Sequence, residues 1–172
     1  MVKTRYEHPK PCGATLESIS DFARKIGKAL DLKPGMDLEP IVSRLNGVIE
    51  YLPLTTKSRK QASITVEKGG KFTIRLSAAL FPLQKRMSIA HELGHLFLHS
   101  RYGEVSLVAY HDAEGESKLV EEEAHEFACT ILMPTKLLRQ AAKALENDSI
   151  RVAAYFMVPE PVARQRMLYV GC

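Results

Sequence analysis

The feature that most restricts the folds open to this chain is a five-residue pattern inside an apolar stretch. Ser88 to His99 reads SIAHELGHLFLH and contains His91-Glu92-Leu93-Gly94-His95, a match to H-E-x-x-H. On an α-helix, residues four apart lie one above the other on one face. His91 and His95 can therefore turn an imidazole nitrogen toward one cation, and zinc takes neutral imidazole in tetrahedral sites. Glu92 stands about 100° around the helix from His91, where it can reach a water beside the metal without being a ligand. The pattern arises by chance in roughly one chain in a few hundred of this length. A bare surface pair of histidines is the bland alternative. Against it stand the apolar flanks Ile89, Ala90, Leu93, Leu96, Phe97 and Leu98. A buried helix must give two His and a Glu their polar partners, and a shared metal serves all three.

The periodicity around this helix sets the fold class. Thr15 to Leu30 repeats apolar residues at helical spacing, with Thr15 suited to the N-cap. Asp37 to Leu45 reads as a shorter helix ending at Asn46-Gly47. The period then shifts to strands: Val48 to Leu54, Ala62 to Val66 and Phe72 to Leu76, the last two joined by the turn Glu67-Lys68-Gly69-Gly70-Lys71. Phe81-Pro82 opens the motif helix, which runs to about His99, since Pro is tolerated at the first helical position. Ser106 to Tyr110 is a short strand or extended loop, and His111 to Ser117 is polar. Val120 to Leu132 is a helix stopped at Met133-Pro134. Lys136 to Leu145, Ser149 to Met157 and Pro161 to Tyr169 are three more. The expectation is an α+β fold: N-terminal helices, a three-stranded sheet with a hairpin, the motif helix and C-terminal helices. A length of 172 residues suits one domain over 1–172, with 1–13 an irregular arm and 136–172 a helical subregion.

Composition narrows the setting. A formal net charge of +4 is too weak to argue for nucleic acid. Cys12, Cys129 and Cys172 form no C-x-x-C pair, which points to a reducing compartment. The first residues lack a signal-peptide core, and no apolar run is long enough to span a bilayer, so the expected location is cytoplasmic with no membrane partner.

Catalytic zinc needs a third protein ligand. Six residues beyond His95 stands Arg101, so the metzincin spacing fails. His99 lies too far along one helix face to share a tetrahedral ion with the other two and is expected to cap the helix end. The remaining source is the acidic helix VEEEAHEFACTILMP. Val120, Ala124, Phe127, Ala128 and Ile131 form its apolar face. Glu122 points away from that face and Glu126 largely outward, whereas Glu121 and Glu123 flank it and either can reach a neighbouring helix. For the acidic run as a whole, a solvated face is the expectation.

Three blocks in order, R-M-S-I-A-H-E-L-G-H-L-F-L-H, then E-x-x-A-H-x-F-A from Glu121, then I-L-M-P, carry a resemblance. The chain resembles the ImmA/IrrE family of bacterial zinc metallopeptidases, from the hairpin through Pro134. The resemblance implies a zincin-like fold and assigns the third ligand to Glu121, with Glu123 as fallback. The family often has Asn where this chain has His125, a residue placed to touch substrate or a ligand. It also implies a protein substrate, a cytoplasmic repressor or antitoxin of helix-turn-helix type.

Zinc held by His91, His95 and Glu121 would keep its last position for water, lower that water's pKa to about 7 and polarise a carbonyl. Glu92 is then the general base. Tyr110, His111, His99 and His125 are candidates to stabilise the oxyanion, and the hairpin offers an edge to an extended peptide. Gly94 is expected to allow a close helix approach. Two other readings stand beside the endopeptidase: a metal-dependent binding module, the toxin or sensor half of a pair, and DNA contact through Ile150 to Leu168 with Arg164 and Arg166. Elemental analysis separates the two roles within the motif. His91→Ala should lose the bound metal, while Glu92→Gln should keep it at wild-type stoichiometry.

Overall fold

In the computed structural model the described residues are 6–53, 62–110 and 116–172, and the side chains of residues 110, 116 and 117 lie outside them. Helix α1, Leu16–Ala29, starts where the Thr15 hydroxyl accepts from the Ser18 amide at 3.2 Å. Helix α2, Glu39–Arg44, ends before Asn46, whose φ of 67° turns the chain into strand β1, Gly47–Leu52. Strands β2, Ala62–Val66, and β3, Phe72–Ser77, form the expected hairpin, with the Glu67 amide donating to the Lys71 carbonyl at 2.8 Å. Helix α3, Pro82–Gly94, begins at the expected proline and runs into a π-helical turn, His95–His99.

Strand β4, Leu107–Tyr110, follows, then α4, Glu116–Leu132, α5, Thr135–Ala144, α6, Ser149–Phe156, and α7, Glu160–Val170. The class is α+β as expected. The sheet, however, has four strands and not three, in the order β1-β3-β2-β4. β1 runs parallel to β3, and β2 is antiparallel to both β3 and β4. The short strand or extended loop read at Ser106 to Tyr110 is the fourth strand. Its residues are extended because the edge of β2 supplies their backbone partners.

This order corrects the expectation for a substrate edge. Both hairpin strands are interior, and the outer strands are β1 and β4. The arm takes part of the β4 edge: the Glu7 amide donates to Ser106 O at 2.9 Å, and the Val108 amide donates to Glu7 O at 3.0 Å.

One contiguous cluster of buried apolar side chains draws on every helix and on β2, β3 and β4. Helix α3 lies on β2 and β3, where Ile64, Ile74 and Leu76 are inaccessible to solvent. Helix α4 packs between α3 and α1. The first of these contacts is unusually close. A Cβ on Gly94 would fall 2.9 Å from the Ala124 carbonyl oxygen and 3.0 Å from its Cα, so only glycine fits there. Gly94 has the packing role its position suggested.

The acidic face of α4 departs from the solvated face expected of it. Glu126 is turned inward, where Arg166 of α7 donates to its two oxygens at 2.8 and 3.0 Å. The Thr130 and Ser20 hydroxyls also bond its Oε1. A buried carboxylate is tolerated because a guanidinium and hydroxyls satisfy it. Arg166 is only 4% exposed, which removes it from any DNA-facing surface.

Gly94→Ala should destabilise the fold by about 1–3 kcal/mol, the usual cost of overpacking, in spite of the better helix propensity of alanine. Thermal unfolding should show a midpoint several degrees lower. An unchanged midpoint would mean that α3 and α4 do not touch at this point.

Candidate metal centre

Helix α3 turns His91 and His95 to one side, with ring centroids 5.0 Å apart. Across the Gly94–Ala124 contact, α4 brings Glu121 to both. Its Oε2 is 2.9 Å from His91 Nε2 and its Oε1 is 3.4 Å from His95 Nε2. One ligand atom from each of His91, His95 and Glu121 lies within 4.8 Å of the other two. Two imidazole nitrogens and one carboxylate oxygen are a donor set that suits zinc in three-ligand sites. The exposure of the three is graded. The side chain of His95 is wholly buried, that of His91 is 13% exposed and that of Glu121 29%, so the cluster reaches solvent through His91 and Glu121.

Glu92 follows His91 on the same helix and is fully buried. Beside His91 and Glu121 opens a pocket of about 470 Å³, lined also by Leu16, Lys118, Glu122 and His125. It is large enough for a substrate side chain.

The two flanking carboxylates of the acidic helix both reach α3, but to different partners. Glu121 meets the first two imidazoles. Glu123 is 6% exposed and accepts from His99 Nε2 at 2.9 Å. His99 therefore does not cap the helix end. Its ring is inside the protein, with Nδ1 2.9 Å from His95 Nδ1. The π-helical turn explains the difference. Widening the helix at His95–His99 keeps His99 beside His95 on the inner face. Burial, reinforced by the neighbouring His95, pushes the His99 pKa below its usual range, so the ring is neutral at pH 7. The residue pattern that could have revealed this is a third His at the same four-residue spacing, opposite a Glu-x-Glu pair.

The other oxyanion candidates divide. The side chain of Tyr110 and all of His111 lie outside the described residues. His125 lines the pocket, with Nε2 3.4 Å from Cys129 Sγ, and burial lowers its pKa. Cys129 is itself buried, and its thiol is pushed up to about 12, so it is not a nucleophile at neutral pH.

Fold and site together define a class: an α+β protein in which a helix bearing H-E-x-x-H meets an acidic helix to form a His-His-carboxylate cluster that could hold a metal ion. The family follows from comparison. Residues 42–168 match the model of the IrrE N-terminal-like domain, peptidase M78, and the chain belongs to that family of metallopeptidases. Over 84 residues it is 33% identical to Metallopeptidase ImmA of Bacillus subtilis (strain 168), covering 48% of each protein. A solved structure titled Mycobacterium tuberculosis transcriptional regulator shares the fold with a TM-score of 0.63 and 15% identity, over 87% of this chain and 55% of that one. The chain thus spans about half the length of these relatives. No helix among the described residues is long and apolar enough to cross a membrane.

The geometry separates the two flanking acids by function. Glu121→Ala should abolish stoichiometric zinc binding at micromolar concentration, because two imidazoles alone hold zinc poorly. Glu123→Ala should still bind zinc, with reduced affinity. Equilibrium dialysis followed by metal analysis would detect a reversal of that order.

Proposed function

We propose that this chain is a zinc-dependent endopeptidase that hydrolyses a peptide bond in a specific cytoplasmic regulatory protein, of the repressor or antitoxin kind. The observation that carries the reading is the convergence of His91, His95 and Glu121, with a buried acid, Glu92, next in the chain to the first of them. Membership in a metallopeptidase family supports it. The reading treats residues 1–172 as one metallopeptidase-like unit with His91, His95 and Glu121 as ligands and Glu92 as base.

Bound zinc supplies Lewis-acid activation of a water and of the scissile carbonyl. The chain's own residues do the rest. His91, His95 and Glu121 hold the ion. Glu92 receives the proton of the attacking water and returns it to the departing amine. The pocket beside His91 accepts a side chain of the substrate and so fixes the peptide's register, with His125 and Lys118 at its wall. A partly open site of this kind takes a loop or an extended segment of a folded protein. The resemblance to ImmA supports a regulator of helix-turn-helix type as that protein.

The test compares new protein N-termini in cells expressing the wild type or Glu92→Gln. At least one cytoplasmic regulator should gain a cleavage site only with the wild type, and the purified pair should reproduce the cut in the presence of zinc. Because general-base catalysis contributes about 10²–10⁴-fold, Glu92→Gln should slow cleavage by at least two orders of magnitude. Equal cleavage by both proteins, or none by either, would refute the assignment.

A further inference from the structure

His99, at the end of the π-helical turn that follows α3, and Glu123 of α4 form a chain of hydrogen bonds that ends on a ligand candidate. Glu123 Oε2 accepts from the main-chain amide of Cys12 at 2.8 Å. The same oxygen is 2.9 Å from His99 Nε2. His99 Nδ1 is in turn 2.9 Å from Nδ1 of His95. The donors along this chain can be assigned. An amide N–H only donates, so Glu123 Oε2 is an acceptor, and as a carboxylate oxygen it accepts from His99 Nε2 as well. A neutral imidazole has one N–H, which His99 has then used. Its Nδ1 must accept, and the donor facing it is His95 Nδ1. The proton of His95 is thereby on Nδ1 and its lone pair on Nε2, the atom that faces Glu121 Oε1 at 3.4 Å.

We propose that Glu123 and His99 are a positioning pair for His95, which fixes its tautomer and ring orientation for metal binding, and that the N-terminal segment completes the pair through the Cys12 amide. The inference rests on the reading of His95 as a metal ligand. Neither residue of the pair is itself a member of the ligand cluster, and both act through His95.

Four observations make the arrangement more than a buried polar accident. All three side chains are secluded, with His95 at 0%, Glu123 at 6% and His99 at 8% exposure, so the two hydrogen bonds among them are shielded from competing water. The π-helical turn keeps the His95 and His99 ring centroids 5.0 Å apart. Glu121 and Glu123 belong to one turn of α4, so the helix that brings a ligand to the cluster also brings the acceptor that orients another ligand. The arm is tied at a second point, Glu7 on β4, besides the bond from the Cys12 amide to Glu123. Orienting partners of this kind affect metal affinity by about 10–100-fold.

The test uses the full chain and two readouts. Long-range nitrogen–proton correlation spectra of the metal-free wild type report which ring nitrogen of His95 carries the proton. Competition with a chromophoric chelator reports zinc affinity. His95 should be the Nδ1–H tautomer before zinc is added. Glu123→Ala and His99→Leu should each weaken zinc binding by about 10–100-fold. His99→Gln should recover most of it, since its amide can accept from His95 and donate to Glu123. If His99→Leu does not fold, the wild-type tautomer and the Glu123→Ala affinity still decide. A His95 protonated on Nε2, or Glu123→Ala binding zinc as tightly as the wild type, would overturn the pair. A wild-type chain that takes up no zinc would sink the metallopeptidase reading instead.

Discussion

The contact between Gly94 and Ala124 is the constraint on which the rest of the site depends. It lies one residue before His95 and three after Glu121, so the separation of the two backbones there sets the reach of all three side chains. Glu121 contacts both imidazoles at once, at 2.9 and 3.4 Å, so its reach depends directly on that separation. The hydrophobic core does the holding. Leu93 and Leu96 on one side, Phe127 and Ala128 on the other, are fully buried, and Phe97 packs with Phe22 and Phe127 at the end of the motif helix. Dispersion and apolar burial thereby maintain the helix–helix geometry on which the polar contacts depend.

Helix α4 is unusual in how it distributes charge. Of its run Glu121, Glu122, Glu123 and Glu126, only Glu122 lies on the exposed face; it pairs weakly with Lys118 at 3.8 Å. The other three point to three different neighbours: the imidazoles of His91 and His95, the imidazole of His99, and the guanidinium of Arg166. Each burial is costly alone and tolerable only with its partner in place. The consequence is specificity of assembly. α3, α7 and the N-terminal segment each supply a donor that α4 requires, so α4 has one acceptable register among them.

Much of this was legible in the residues. The hairpin limits, the proline that opens α3, and the stop at Met133-Pro134 depend on local chemistry, namely a glycine-rich turn, a missing N–H and a fixed φ. The pairing of His91 with His95 follows from helical pitch alone. Three features did not follow. The place of β4 is one: its residues read as a short strand or extended loop, but nothing local shows that they pair with β2 as a fourth strand. Glu126 and Arg166 are 40 residues apart, and each by itself looks like a surface charge. His99 looked like a helix cap because a regular α-helix was assumed beyond His95, whereas the chain widens into a π turn.

The sequence by itself determined the local elements and the chemistry on offer: a helix with two imidazoles at one pitch, an acid beside the first, and a second helix with acids on both flanks. Those follow from periods of 3.6 and 2 and from side-chain type, which act over a few residues. Only the tertiary structure decided which acid meets which imidazole. Glu121 and Glu123 are equivalent on a helical wheel, and the choice between them was made where α4 crosses α3 at a glycine. That crossing is set by how distant apolar faces pack, a property of the whole core that no window of neighbouring residues contains.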